Sequence, residues 1–303
     1  MLTQSVERYI AVRRASGFAF RSEGSLLQSF AAFSDAAGKH YVSSEVAIKW
    51  AGSASSLHQR ARRLGQVIRF AQYIRAEDPR HEIPLAVFGS EKRPRPVPYI
   101  FSKDDIRRIL GAASELGKRN NFRGYTYHTF FALLACTGFR VSEAIHLRFE
   151  DITADGLIIR CSKFRKSRLV PVDETTQAAL ERYIQQRRTY APLEDHVFVS
   201  LRRCGLLLHD AETAFHDIVE KVGLSRGVGL PRPTIHCLRH TFAVRALETC
   251  PDGRDRITKH MLALSTYLGH SKVADTYWYL EATPDLMTKI ADACQSFFAG
   301  GRP

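Results

Sequence analysis

Residues 268–286 read LGHSKVADTYWYLEATPDL and bring a histidine, two tyrosines and a tryptophan into one short stretch. Tyr277 and Tyr279 stand two apart, so in a helix they point to nearly opposite faces and at most one enters a given pocket. A phenol titrates near pH ~10, so it becomes a nucleophile only by losing its proton during attack. Upstream, THCLRHTFA sets His236 and Arg239 three apart on one helical face, with His240 four from His236. An H-x-x-x-H pair can hold zinc, but the protease pattern needs H-E-x-x-H, and a guanidinium beside the site would repel a divalent cation. Phosphate is the more coherent ligand for His236 and Arg239. Arg140 follows ACTG at the start of a further helix, with Glu143 three residues on, where helix N–H groups also favour an anion. The stretch SKFRKSR, expected at a hairpin tip, holds Lys163, Arg165, Lys166 and Arg168, each a candidate for plain contact with a nucleic-acid backbone. A lysine there could hand its proton to a leaving oxygen, which arginine does poorly. Two arginines, two histidines, a lysine and a late tyrosine, with no acidic metal cluster, fit metal-independent phosphoryl transfer stabilised by guanidinium and imidazole donors.

The elements that must position these groups are mostly helices. Residues 1–85 alternate apolar and charged positions at helical spacing and predict four or five short helices, with Ser43 and Ser44 as an N-cap region and Gly17 and Gly38 as stops. The last of these carries Arg60, Arg63 and Arg69, candidates for contact with a nucleic-acid backbone. Residues 86–101 hold Pro94, Pro96 and Pro98 interleaved with Lys92, Arg93 and Arg95, which predicts an extended basic linker whose cations are candidates for nucleic-acid backbone contact. Ser102 with Asp105 predicts a capping box opening residues 102–303. In that part GYTYHTFFALLACTG and RVSEAIHLRFEDI predict two helices, LIIRC and RLVPV a β-hairpin with a basic tip, and helices follow to TPDLMTKIADACQSFFAG near the end. The expected fold class is mainly α with a small β-sheet, in two domains.

Composition agrees with a polyanionic partner. The chain has 303 residues and a formal charge of +13; residues 1–100 hold 15 Lys and Arg against 8 Asp and Glu, and the rest 29 against 23, so both parts are basic. Such a surface attracts phosphate by steering and counterion release. Six widely spaced cysteines without C-x-x-C argue against disulfides and zinc fingers and are expected as reduced core residues. No run of about 18 apolar residues exists, so no membrane span is expected and the chain is read as cytoplasmic and nucleoid-associated.

ACTGFRVSEAIHLRFEDI, CSKFRKSRLVPV, HCLRHTFA and YLGHSKVADTYWY, in this order, resemble the boxes of the tyrosine recombinase (phage integrase) family. The resemblance implies a helical core-binding domain over 1–85, a linker over 86–101 and a catalytic domain over 102–303. It further implies that Arg140 and Arg239 grip the scissile phosphate and that Lys163, with Lys166 as rival, is the general acid. His236 and His270 would be phosphate donors, Glu143 would buttress Arg140, and Tyr279 would be the nucleophile that forms a 3′-phosphotyrosine. Tyr277 and Trp278 are expected to be packing aromatics. No cofactor and no metal is implied. The implied partners are double-stranded recombination sites, three further copies of the chain in a tetramer on DNA with a monomer or dimer off it, and accessory recombination proteins. TYWYLEATPDLM is closer to recombinases of mobile elements than to chromosome-dimer resolvases. Two other readings are a DNA-binding relative that has lost cleavage, which a missing box residue would favour, and a metal-dependent nuclease, which would need partners for Asp104 and Asp105 or Glu150 and Asp151. A type IB topoisomerase would share the chemistry and act as a monomer.

Overall fold

The structure, a computed structural model, describes residues 1–89, 98–117, 121–160, 167–224, 232–249, 254–270, 272–277 and 279, apart from the side chains of Asn121, Arg254, Asp255, Ile257, Ala274 and Tyr277. Lys92, Arg93, Arg95, Lys163, Arg165, Lys166, Trp278 and the expected last helix lie outside the described residues. The backbone separates into two compact units, Met1–Arg95 and Pro96–Pro303.

The first unit holds α1 (Leu2–Ala15), α2 (Arg21–Ala36), α3 (Ser44–Gly52) and α4 (Leu57–Ile74). Its core is built on Phe30, Trp50 and Phe70, with Tyr9 against Phe70. Gly17 and Gly38 carry positive φ after α1 and α2, as the expected stops require. Asp35 accepts from the backbone N–H groups of Leu2 and Thr3, satisfying donors that the start of α1 leaves open. Ser43 precedes α3 without a side-chain cap; the Glu82 carboxylate accepts from Ser44 N–H at 2.7 Å instead. Phe88 packs on this unit's core, so the near end of the expected linker is part of the first unit.

The second unit runs α5 (Lys103–Ser114), α6 (Asn121–Thr137), α7 (Val141–Ile145), a 3-10 turn at Phe149–Asp151, β1 (Ile152–Thr153), β2 (Gly156–Ile159), β3 (Arg168–Val170), α8 (Glu174–Tyr190), α9 (Leu208–Lys221), α10 (His236–Glu248), α11 (Arg254–Leu268) and α12 (Ala274–Tyr277). Ser102 and Asp105 form the reciprocal capping box at α5. The far end of the expected linker is anchored here: Phe101 is buried and its N–H donates to Thr241 Oγ1 in α10.

α6 is the central helix, and Phe130 and Phe131 on it are fully buried among Tyr183, Phe198 and Phe215. The three strands form one antiparallel sheet in the order β1-β2-β3, with Leu157 opposite Val170 and Ile159 opposite Arg168. The chain is therefore mainly α with a small β-sheet. α7 is shorter than RVSEAIHLRFEDI predicts. It stops at Ile145 because Arg148 leaves the helix, donating its N–H to Asp151 and bridging to His196. Cys237 is buried as expected of a core cysteine, but Cys136 and Cys204 lie at the surface, which corrects that expectation. Among the described residues no helix is long and apolar enough to cross a membrane.

Candidate active site

Four backbone segments converge: the α6–α7 turn, the start of β3, the first turn of α10, and residues 267–279. Gly138, in the left-handed region at φ +63°, ends α6 and turns the chain so that Arg140 opens α7. The Arg140 side chain donates to Glu143 Oε1 at 2.6 Å and to the Gly269 carbonyl at 2.9 Å. Glu143 accepts the Arg140 backbone N–H as well. Arg239, on the first turn of α10 and 2% exposed, donates to the carbonyls of Gly138 and Leu268, both at 2.7 Å. Two N–H groups of each guanidinium thus go to fixed backbone or carboxylate oxygens, and a guanidinium carries five in all.

His236, the first residue of α10, stacks edge-on against His240, ring centroids 4.5 Å apart. His240 also lies against the Tyr279 ring at 5.5 Å. His270 stacks on Tyr279 at 5.9 Å, and its Nδ1 is 2.8 Å from the buried Thr276 Oγ1. Tyr279 is 3% exposed, packs with α10 and α11, and hydrogen-bonds the Arg239 side chain. Arg140, His236, Arg239, His270 and Tyr279 therefore surround one site, and Tyr279 sits in it within its own chain.

The electrostatics follow from burial beside like charge. Burial, then Arg239 and Arg140, push His236 below the ordinary histidine range. Burial, then His236 and Arg239, take His240 down to about 3. Burial, then Arg239 and Arg140, take His270 down to about 4. The histidines are neutral at pH 7 and act as hydrogen-bond groups, not as cations. Burial, followed by the charge of Arg140, lowers Arg239 to about 10, which still leaves it a cation. For Glu143 burial works toward a higher pKa, but the hydrogen bonds and charge of Arg168, then those of Arg140, outweigh it and hold the carboxylate ionised.

Arg168 corrects the sequence reading. Expected at the hairpin tip as a DNA-backbone contact, its side chain is 12% exposed and turned inward. It donates to both oxygens of Glu143, at 3.1 and 2.9 Å, and to the Tyr267 carbonyl at 2.8 Å. The strand pattern contained this signal: Val170 is buried and Leu169 is 49% exposed, so Arg168 shares the inward face with Val170. Thr276 and the carbonyls of Gly138, Tyr267, Leu268 and Gly269 are further parts that sequence reasoning missed, and His240 was weighed there only as a zinc partner of His236. Main-chain acceptors have no residue signature.

A cavity of about 850 Å³ opens beside Arg140, lined also by His146, Arg148 and Arg160. In the first unit Arg60 donates to the Ala54 carbonyl and Arg63 to Ser53, so both help hold the α3–α4 turn, while Arg69 is exposed. The carboxylates weighed as metal ligands are otherwise engaged: Asp104 and Asp105 pair with Arg108, and Glu150 and Asp151 with Arg160. Among the described residues no group of three or more His, Cys, Asp or Glu is placed to hold a metal ion.

Residues 100–285 match the model of the phage integrase family. The putative integrase/recombinase y4rB of Sinorhizobium fredii is 37% identical over 294 residues, covering 94% of each chain. The putative integrase/recombinase y4rE of the same organism is 32% identical and covers 99% of this chain and 97% of its own. Among solved structures, XerH site-specific recombinase bound to a palindromic difH substrate superposes with a TM-score of 0.68 at 17% identity, covering 97% of this chain and 85% of that one, which speaks for the fold. The match over most of the chain, at 37% identity in a full-length relative, settles the family: the chain belongs to the phage integrases, the tyrosine recombinases that carry out site-specific DNA recombination.

Proposed function

We propose that the chain cleaves and rejoins DNA by in-line attack of the Tyr279 hydroxyl on a scissile phosphate, giving a 3′-phosphotyrosine and a free 5′-hydroxyl. The observation that carries this is Tyr279 packed against both His240 and His270 and hydrogen-bonded to Arg239. Arg140 and Arg239 hold the nonbridging oxygens, their forks fixed by Glu143 and by the carbonyls of Gly138, Leu268 and Gly269. With the Thr276 hydroxyl donating to His270 Nδ1, the remaining ring nitrogen carries the proton and donates to the phosphate. His236 donates beside it and takes the tyrosine proton, and Lys163 gives the departing 5′ oxygen its proton. The phosphotyrosine conserves the bond energy of the cleaved strand, so neither ATP nor a metal enters the reaction.

The DNA substrate is double-stranded, clasped by the helical unit through Arg60, Arg63 and Arg69 and by the segments bearing Lys92, Arg93, Arg95, Arg165 and Lys166. Four copies assemble on two duplexes of a mobile element, with accessory proteins as further partners. Tyr279 acts in cis, because it is buried against His240, His270 and Arg239 of its own chain.

The test mixes two inactive variants, Tyr279→Phe and Arg140→Ala, on a duplex enriched by the wild-type protein from a random-sequence pool. Cis delivery predicts no cleavage in the mixture. Recovered cleavage would show the tyrosine entering a neighbour's site. In parallel, Lys163→Ala is expected to cleave a 5′-bridging phosphorothiolate, whose sulfur leaves without a general acid, while failing on the ordinary phosphodiester; failure on both would move the acid role elsewhere.

A further inference from the structure

Among the described residues of β2 and β3, Arg168 is the basic side chain, the proposed chemistry leaves it unused, and it is heavily bonded near the site. Its guanidinium joins three segments that are remote in sequence. Both terminal nitrogens donate to Glu143 on α7, and Nε donates to the Tyr267 carbonyl at the end of α11. Arg168 itself opens β3, two residues after 161–166, the segment that bears Lys163.

The geometry around this contact is closed. Glu143 is shared by the two guanidiniums: Oε1 accepts from Arg140 Nη1 at 2.6 Å and from Arg168 Nη1 at 3.1 Å, and Oε2 from Arg168 Nη2 at 2.9 Å. Each carboxylate oxygen thus accepts from both arginines, so the Arg140 fork shares its anchor with Arg168. Gly269 shows how tightly the space is filled. Its φ is +67°, and a Cβ there would lie 2.7 Å from Arg168 Nη1 and 2.9 Å from Cζ. The same glycine's carbonyl accepts from Arg140. The glycine before His270 is therefore required both by its backbone conformation and by the guanidinium packed on it.

We propose that Arg168 is a positioning residue for strand cleavage: through Glu143 and the 267–269 backbone it sets the orientation in which Arg140 meets the scissile phosphate. The inference rests on the phosphotyrosine reading above. Arginine suits the task because one planar fork spans a carboxylate edge-on while its Nε reaches a carbonyl; a lysine ammonium offers a single point of contact.

The test uses the full chain and the duplex enriched by the wild-type protein, in ordinary and 5′-bridging phosphorothiolate forms, with single-turnover formation of the covalent adduct as readout. Arg168→Gln is expected to bind this duplex within about threefold of wild type and to form adduct about 100-fold more slowly, the cost of a small misplacement of a reacting group. The phosphorothiolate is expected not to restore the rate, because the defect lies in the grip on phosphate and not in proton donation. Full restoration would overturn the proposal by placing the defect at the lysine. Glu143→Gln combined with Arg168→Gln is expected to be no slower than the slower single variant, since both act through one contact; multiplicative losses would overturn it. Arg168→Lys, which keeps the charge, is expected to fold and to be about tenfold slow. A wild-type rate in that variant would overturn the proposal even if Arg168→Gln does not fold. Absence of adduct with the wild-type protein would instead refute the phosphotyrosine reading.

Discussion

Gly138→Ala isolates how the end of α6 serves the site. Gly138 has φ +63°, where an L side chain costs roughly 1–2 kcal/mol. The added Cβ would also lie 2.5 Å from Phe242 Cδ1, 2.9 Å from its Cγ and 3.2 Å from Leu268 Cδ2. Phe242 stacks on Tyr267 with centroids 5.5 Å apart, so its ring cannot swing away without disturbing α11. Such overpacking costs about 1–3 kcal/mol, for a total of roughly 2–5 kcal/mol. Gly223→Ala is the control: its φ is +71° and no described atom lies within 4 Å of the added Cβ, so only the backbone term applies. Denaturant unfolding of both variants should show Gly138→Ala the more destabilised by about 1–3 kcal/mol. The Gly138 carbonyl accepts from Arg239, so adduct formation on the enriched duplex should also slow by about 10- to 100-fold, while Gly223→Ala cleaves normally. Equal stability of the two variants, or a destabilised Gly138→Ala that cleaves at the wild-type rate, would refute the claim that this turn is built around Arg239.

The depressed histidines give the protein a pH dependence of definite sign. His240 at about 3 and His270 at about 4 stay neutral in the folded chain while their unfolded counterparts take up protons below the ordinary histidine value, so stability is full above pH ~6.5 and falls as pH drops toward the folded values. With discount for partial exposure, the loss between pH ~7 and ~4.5 should be on the order of 1–3 kcal/mol. His240→Phe should flatten the curve, and a wild-type stability that is level or rising over that interval would contradict the assignment. Thr276→Val keeps the shape of a fully buried residue but removes the hydroxyl 2.8 Å from His270 Nδ1. It should cost about 1–3 kcal/mol for an imidazole nitrogen left without its partner. Adduct formation should slow about tenfold with DNA binding unchanged, and binding and cleavage falling together would count against an orienting role.

Arg140, His236, Arg239 and His270 were legible because each sits in a short contiguous segment with its own spacing. His236, Arg239 and His240 fall on adjacent turns of one helix, and the Ser102–Asp105 capping box formed as its residue types require. Less legible was what tertiary contacts decide. The single turn of α7 follows from Arg148 bonding to Asp151 and bridging to His196, partners that its own sequence does not name. The two-residue β1 exists only as a pairing partner of β2. Arg168 was misplaced because charge density in SKFRKSR suggested a solvated tip, whereas strand alternation with the buried Val170 and a carboxylate 25 residues away turned it inward. The carbonyls that hold both site arginines could not be read at all, since every residue has one.

The central claim is that Tyr279 becomes covalently joined to DNA without a metal. The direct measurement incubates the wild-type chain and Tyr279→Phe with the enriched duplex carrying a 5′-bridging phosphorothiolate, in EDTA, followed by denaturing electrophoresis and peptide mapping. The wild-type protein should form an adduct that survives denaturation and maps to the peptide containing Tyr279, and Tyr279→Phe should form none. An adduct in Tyr279→Phe, or nicking that appears only with divalent cation and vanishes in EDTA, would contradict the account.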